Sequence, residues 1–156
     1  ATALLARGAI YAGLEATQKD DYPITVQTGH SVSELVLSPQ PIAYTGIDLP
    51  DIIVVISEHG RERIRARLRA APATCTIYSD AAIALPETAA ALRPLELTRL
   101  KARGRELSPA VAALGAVLAD TGWFPLQAVI TAIRKFSDPA LIQDTIEALR
   151  AGAALV

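Results

Sequence analysis

Apolar residues recur along the chain in two rhythms. From Ser108 onward they fall at helical spacing: Val111, Leu114, Val117 and Leu118 before Gly122, then Leu126, Val129, Ile130 and Ile133 between Pro125 and Phe136, then Ile142, Ile146 and Leu149 before Gly152. Spacings of three and four place each set on one face, so three helices are predicted to close the chain. Ser108-Pro109 supplies a cap and a first helical residue, Ser137-Asp138-Pro139 a second start, and Gly122 and Gly152 two stops. Ile52-Ile53-Val54-Val55-Ile56 has neither helical spacing nor polar alternation. Such a β-branched run suits a strand covered on both faces.

Around that strand the pattern predicts a strand–helix–strand unit. Ser57 caps a helix running to about Ala70, with Ile64 and Leu68 on one side, and Thr74 to Tyr78 returns as a second buried strand. Earlier in the chain, Ala1 to Ala12 reads as a helix ended by Gly13, and Leu14 to Thr17 as a short strand. Gln18 to Pro23 has the composition of a loop, and Ile24 to Gln27 and Val32 to Ser38 read as a hairpin about Thr28-Gly29-His30-Ser31. After Leu85-Pro86 the pattern weakens to a strand at Leu95 to Thr98 and a charged loop from Lys101 to Glu106. The expected architecture is α/β: a Rossmann-like, mainly parallel sheet covered by helices, with a helical C-terminal part, in one domain over residues 1–156.

Composition narrows the function classes. A net charge of -1 gives no general field for nucleic acid or an anionic membrane, so neither is expected as a partner. The longest apolar runs fall far short of the roughly 20 residues of a membrane-spanning helix. The apolar start, Ala1 to Ala6, lacks the form of an export signal. One cysteine allows no internal disulfide and no four-thiolate cluster held by this chain alone, which points to the cytoplasm.

The chemistry-bearing residues do not form a familiar catalytic set. Gly29-His30-Ser31-Val32-Ser33 lacks the G-x-S-x-G order of a nucleophile elbow, and neither His30 nor His59 has metal-ligand spacing, so no metal site is expected and the catalytic residues stay unassigned. Arg61, Arg63, Arg65, Arg67 and Arg69 make a basic helix whose alternate spacing spreads them over more than one face, as on a solvated helix. Ser79-Asp80 follows a core strand, where ligands gather in open α/β sheets but where turns and caps also form. Cys75 reads as a small buried hydrophobe. The least ordinary stretch is Gln18 to Ser33, which gathers Lys19, Asp20, Asp21, Tyr22, Thr28, Gly29, His30 and Ser31 beside strand ends. Those residues can solvate a turn, bind a small anion or dock a protein.

Ala16-Thr-Gln-Lys-Asp-Asp-Tyr-Pro, then Thr28-Gly-His-Ser-Val-Ser-Glu-Leu, then Pro50-Asp51 before the aliphatic strand, resemble in their order the gamma component of 2-oxoacid:ferredoxin oxidoreductases. Ala113-Leu114-Gly115-Ala116 and Thr121-Gly122 are similar to its later part. The resemblance implies a subunit of an enzyme that oxidatively decarboxylates a 2-oxo acid, transfers the acyl group to coenzyme A and passes electrons to ferredoxin. It implies that thiamine diphosphate with magnesium, the iron–sulfur clusters and coenzyme A are held in the assembled complex and none by this chain alone. Its partners would be the catalytic alpha- and beta-type subunits. The segment Lys19 to Ser31 is then expected to face a partner or the substrate.

Two departures accompany the resemblance. Members begin with a strand and a G-x-G-G-Q-G turn, whereas residue 1 already stands in the first helix. Many carry R-G-G where this chain has Thr28-Gly29-His30. The alternative from another class is a noncatalytic Rossmann-like module that binds a ligand or acts as a scaffold.

Overall fold

The computed structural model describes residues 1–21, 31–102 and 104–156. Strands β3 (Ile52–Val55), β4 (Thr76–Asp80) and β5 (Ala91–Leu95) form a parallel sheet in the order β3-β4-β5. The β-branched run of β3 pairs in parallel with β4 from Ile52 opposite Thr76 to Val55 opposite Ser79. Parallel neighbours need a crossover, and residues 56–75 supply it as α2 (Glu58–Arg63) and α3 (Arg65–Ala70). The α/β class and the strand–helix–strand unit are thus as the hydrophobic pattern predicts.

Ser57 caps α2 by accepting a hydrogen bond from Gly60 N–H at 3.1 Å. The single helix expected through Ala70 is instead interrupted at Ile64, whose φ of -104° and ψ of 16° leave the helical well. Hydrogen bonds persist on both sides, from Ile64 N–H to Gly60 O and from Leu68 N–H to Ile64 O, so the chain kinks without turning away. Leu68 then packs fully buried with Ile53, Val55, Cys75 and Ile77.

Two further expectations need correction at the strand level. The polar stretch expected as a loop is largely strand: β1 runs Glu15–Asp21 and pairs antiparallel with β2 (Val32–Ser38), from Glu15 opposite Ser38 to Asp21 opposite Val32. Partner hydrogen bonds outweigh the turn-favouring composition of Gln18-Lys19-Asp20-Asp21. The strand expected at Ile24 to Gln27 and most of its turn lie outside the described residues. Near the other end, the strand is Ala91–Leu95 rather than Leu95 to Thr98, and Leu97–Arg99 form a 3-10 turn. Pro94 sits in β5 because β5 is an edge of its sheet, where one row of backbone groups makes no ladder bonds. Within the charged loop, β6 (Lys101–Ala102) and β7 (Arg105–Glu106) make a minimal antiparallel pair.

The helical layer contains α1 (Thr2–Tyr11), α4 (Pro109–Thr121), α5 (Leu126–Phe136) and α6 (Ile142–Ala153). Ser108 caps α4, and Gly122 ends it with φ of 63°, the left-handed conformation that glycine adopts without steric cost. α6 starts later than Ser137-Asp138-Pro139: Asp138 Oδ1 accepts from Ala140 N–H, making a turn that precedes the helix. It also runs through Gly152 rather than stopping there. A Cβ on Gly152 would lie 1.8 Å from Ala112 O, and one on Gly115 would lie 1.9 Å from Leu149 O. Both glycines therefore let α4 and α6 cross with their backbones nearly touching. Leu5 and Ala9 of α1 join Val111, Leu114, Val129, Ile133, Ile146 and Leu149 in the core beneath these helices. Tyr78, Leu95 and Leu97 close the gap between sheet and α4.

Candidate functional site

Successive side chains of a strand point to opposite faces, so the pairing of β1 with β2 divides the polar cluster. Gln18 and Asp20 share one face with Ser33, which stands opposite Asp20; Lys19 and Asp21 share the other with Glu34, which stands opposite Lys19. On the first face Ser33 Oγ donates to Asp20 Oδ1 at 2.5 Å and Gln18 Nε2 donates to both carboxylate oxygens at 2.9 Å. The bond from Ser33, then that from Gln18, holds the Asp20 carboxyl below the usual carboxylate value. Asp20 is therefore an ionised acceptor near neutrality, poorly suited to take up a proton.

On the second face Arg63 Nη2 donates to Asp21 Oδ2 at 2.9 Å, and Arg67 Nη1 pairs with Glu34 Oε1. These contacts join the hairpin to the crossover helices. They also divide four of the five arginines of the basic helix into two sets. Arg63 and Arg67, four residues apart, reach the hairpin, while Arg61 and Arg65 pair with Glu58 and Glu62 of their own helix region. Arg61 additionally donates to Ala84 O at 2.9 Å. Arg63 and Arg67 stay exposed, as expected of a solvated helix, and add contacts to the hairpin. Their i, i+4 spacing was a usable signal, but nothing in the sequence identified Asp21 and Glu34 as their partners.

Lys19, Asp20, Asp21 and Ser31 are exposed, whereas Tyr22, Thr28, Gly29 and His30 lie outside the described residues. The described part of the cluster is thus brought together along one hairpin but presented on two faces. Elsewhere, Asp80 is buried at the end of β4, where its Oδ1 accepts from Ala82 N–H at 2.9 Å and its Oδ2 from Thr98 N–H at 2.8 Å. It fastens the turn after β4 and the start of the 3-10 turn, so the turn reading of Ser79-Asp80 accounts for both its carboxylate oxygens. His59 is exposed on α2.

Tyr78 is buried on the sheet, and its hydroxyl donates to Asp120 Oδ2 at 2.6 Å. Burial, followed by the bond to Asp120 and the charge of that carboxylate, pushes the phenol well above its ordinary value. Burial first, then the charge of Asp51, raises the Cys75 thiol as well. Asp20, Tyr78 and Cys75 are each shifted away from acid–base or nucleophilic work near neutrality.

Among the described residues, no group of three or more His, Cys, Asp or Glu side chains lies close enough to hold a metal ion. One cysteine in the whole sequence leaves a four-thiolate cluster at least three ligands short. The residues of this chain by themselves therefore do not fit a four-thiolate iron–sulfur cluster. No helix among the described residues is long and apolar enough to cross a membrane. A shallow apolar hollow of about 370 Å³ opens between the ends of α4, α5 and α6, lined by residues including Leu118, Phe124, Leu126 and Ala153. None of the described residues expected at the site lines it.

Residues 1–155 match the pyruvate ferredoxin/flavodoxin oxidoreductase family. The chain belongs to that family. Its fold is similar to that of the keto/oxoacid ferredoxin oxidoreductase gamma subunit from Geobacter sulfurreducens PCA, with a TM-score of 0.75 and 20% identity over 96% of this chain and 85% of that one. The pyruvate oxidoreductase subunit PORC of Thermotoga maritima gives a TM-score of 0.71 and 21% identity over 98% of this chain and 86% of that one. In the 2-oxoglutarate:ferredoxin oxidoreductase from Magnetococcus marinus, solved with 2-oxoglutarate, coenzyme A and succinyl-CoA bound, 98% of this chain matches 27% of that one with a TM-score of 0.79 and 18% identity. No curated protein matches the chain significantly in sequence.

Proposed function

We propose that the chain is the gamma component of a multi-subunit enzyme that oxidatively decarboxylates a 2-oxo acid, forms an acyl-CoA and delivers the electrons to ferredoxin. The observation that carries this reading is the family match across residues 1–155. Thiamine diphosphate, magnesium, the iron–sulfur clusters and coenzyme A then reside with the alpha- and beta-type catalytic subunits or between them and this chain. The single buried Cys75 supports that division of labour, because cluster ligation needs thiolates this chain lacks.

Within that complex, the segment Lys19 to Ser31 faces the catalytic subunits. The support is geometric: Lys19, Asp20, Asp21 and Ser31 are exposed, and the ion pairs Arg63–Asp21 and Arg67–Glu34 hold the hairpin against the crossover helices. The braces lie toward the Asp21–Val32 end of the ladder, away from its Glu15–Ser38 end, so the exposed side chains of Lys19, Asp20 and Asp21 are held as a positioned surface. Its work is to bind and orient, since Asp20 is a poor proton acceptor and Asp21 is charge-balanced by Arg63.

The test replaces Asp21→Ala and His30→Ala separately in the reconstituted complex. Exposed ion pairs are typically worth about 0–1 kcal/mol, so the free chain should melt within a few degrees of wild type. Assembly should weaken, or 2-oxoacid-dependent reduction of an electron acceptor should fall. Wild-type assembly and turnover in both variants would reduce the segment to a solvated turn.

A further inference from the structure

The C-terminal ends of α1 and α5 carry a patch unlike the rest of the surface. Arg7, Ile10 and Tyr11 stand at i, i+3 and i+4 and so share one face of α1. Ile10 is 59% exposed, Tyr11 43% and Phe136 46%. The Arg7 guanidinium lies over the Phe136 ring at 4.4 Å, and the Lys135 ammonium lies 5.6 Å from that ring and 5.7 Å from that of Tyr11. The two cations and two rings therefore form one continuous cluster, with Ile10 beside it.

Among the described residues, no carboxylate pairs with Arg7 or Lys135, although the chain as a whole carries net charge -1. Exposed aromatics with arginine are the composition of interface centres rather than of ordinary surface. Cations already stacked on rings lose little freedom when a carboxylate arrives. A second copy of this chain is a poor occupant, because a two-fold contact would set the patch against itself and bring like charges together.

From these observations we propose that the Arg7–Ile10–Tyr11–Lys135–Phe136 patch is a docking surface for a carboxylate-bearing face of the catalytic partner subunit. The proposal rests on the gamma-component reading. The aromatic rings supply the area that is taken out of water, and Arg7 and Lys135 select an acidic partner and set the salt dependence of docking.

The test measures binding of this chain to the co-produced catalytic subunits as a function of salt, for wild type, for Arg7→Gln with Lys135→Gln, and for Phe136→Ala. Wild type should bind with an affinity that falls as salt rises. The double variant should bind at least tenfold more weakly at low salt and lose much of that salt dependence, and Phe136→Ala should also weaken binding. Thermal melting of each free chain identifies the competing role, in which Arg7 and Lys135 merely stabilise the fold, Lys135 by its place in the last turn of α5. Lowered melting with unchanged binding overturns the proposal, as does unchanged affinity in all variants. Self-association of the wild-type chain that the double variant abolishes would also overturn it, in favour of a second copy. Failure of the wild-type chain to bind the catalytic subunits at all would count instead against the gamma-component reading.

Discussion

Tyr78 shows how one side chain ties sequence to packing and to pH. Its ring is buried between β4 and α4, and its hydroxyl reaches Asp120, which also lies 3.7 Å from Arg93. Tyr78→Phe keeps the ring and removes the donor, so the chain should lose about 1–2 kcal/mol of stability by denaturant unfolding. The pH effect has a definite sign. The folded chain holds the phenol proton more tightly than the unfolded chain, whose tyrosine titrates near 10. The stability this contributes is complete below pH 10 and is lost as pH rises beyond it, when the unfolded form ionises first. Wild type should therefore lose stability above pH 10 more steeply than Tyr78→Phe, and parallel pH profiles would refute the assignment. At this scale the sequence was a partial guide. It marked Cys75 as a buried hydrophobe and Ser79-Asp80 as a turn or a ligand site, but the Tyr78–Asp120 contact spans 42 residues and no local pattern signals it.

Helices and strands were legible wherever burial is periodic and obscure where tertiary pairing overrides composition. The stripe of Val111, Leu114, Val117 and Leu118 gave α4 its cap, its face and its Gly122 terminus. The unbroken run at Ile52 gave β3. By contrast, Gln18 to Asp21 look like a loop until β2 lies beside them, and Ala91-Leu92-Arg93-Pro94-Leu95 lacks any strand rhythm because four of its five residues are exposed on an edge. Gly152 misled for a different reason. In sequence a glycine after an apolar stripe reads as a stop, whereas here it is the point where the α6 backbone meets Ala112 O. Gly115→Ala and Gly152→Ala should each force α4 and α6 apart and cost about 1–3 kcal/mol or more by thermal or chemical unfolding. Each should retain a helical spectrum, since alanine favours helix over glycine by about 1 kcal/mol. Net stabilisation of either variant would mean that the crossing is looser than described.

At the scale of the whole molecule, the fold is shared with gamma-type chains of 2-oxoacid:ferredoxin oxidoreductases, and the polar hairpin is braced by arginines that the sequence alone left on a solvated face. The expected site was legible as a cluster in sequence. Its division between the Asp20 and Asp21 faces was not, because strand alternation becomes visible only once the segment is known to be strand. The central claim is that this chain is a necessary component of a 2-oxoacid oxidoreductase. It is tested most directly by measuring 2-oxoacid- and coenzyme A-dependent reduction of ferredoxin with the purified catalytic subunits, with and without this chain, and with this chain alone. The account predicts turnover only when the chain and the catalytic subunits are combined; full turnover without the chain, or turnover by the chain alone, would contradict it.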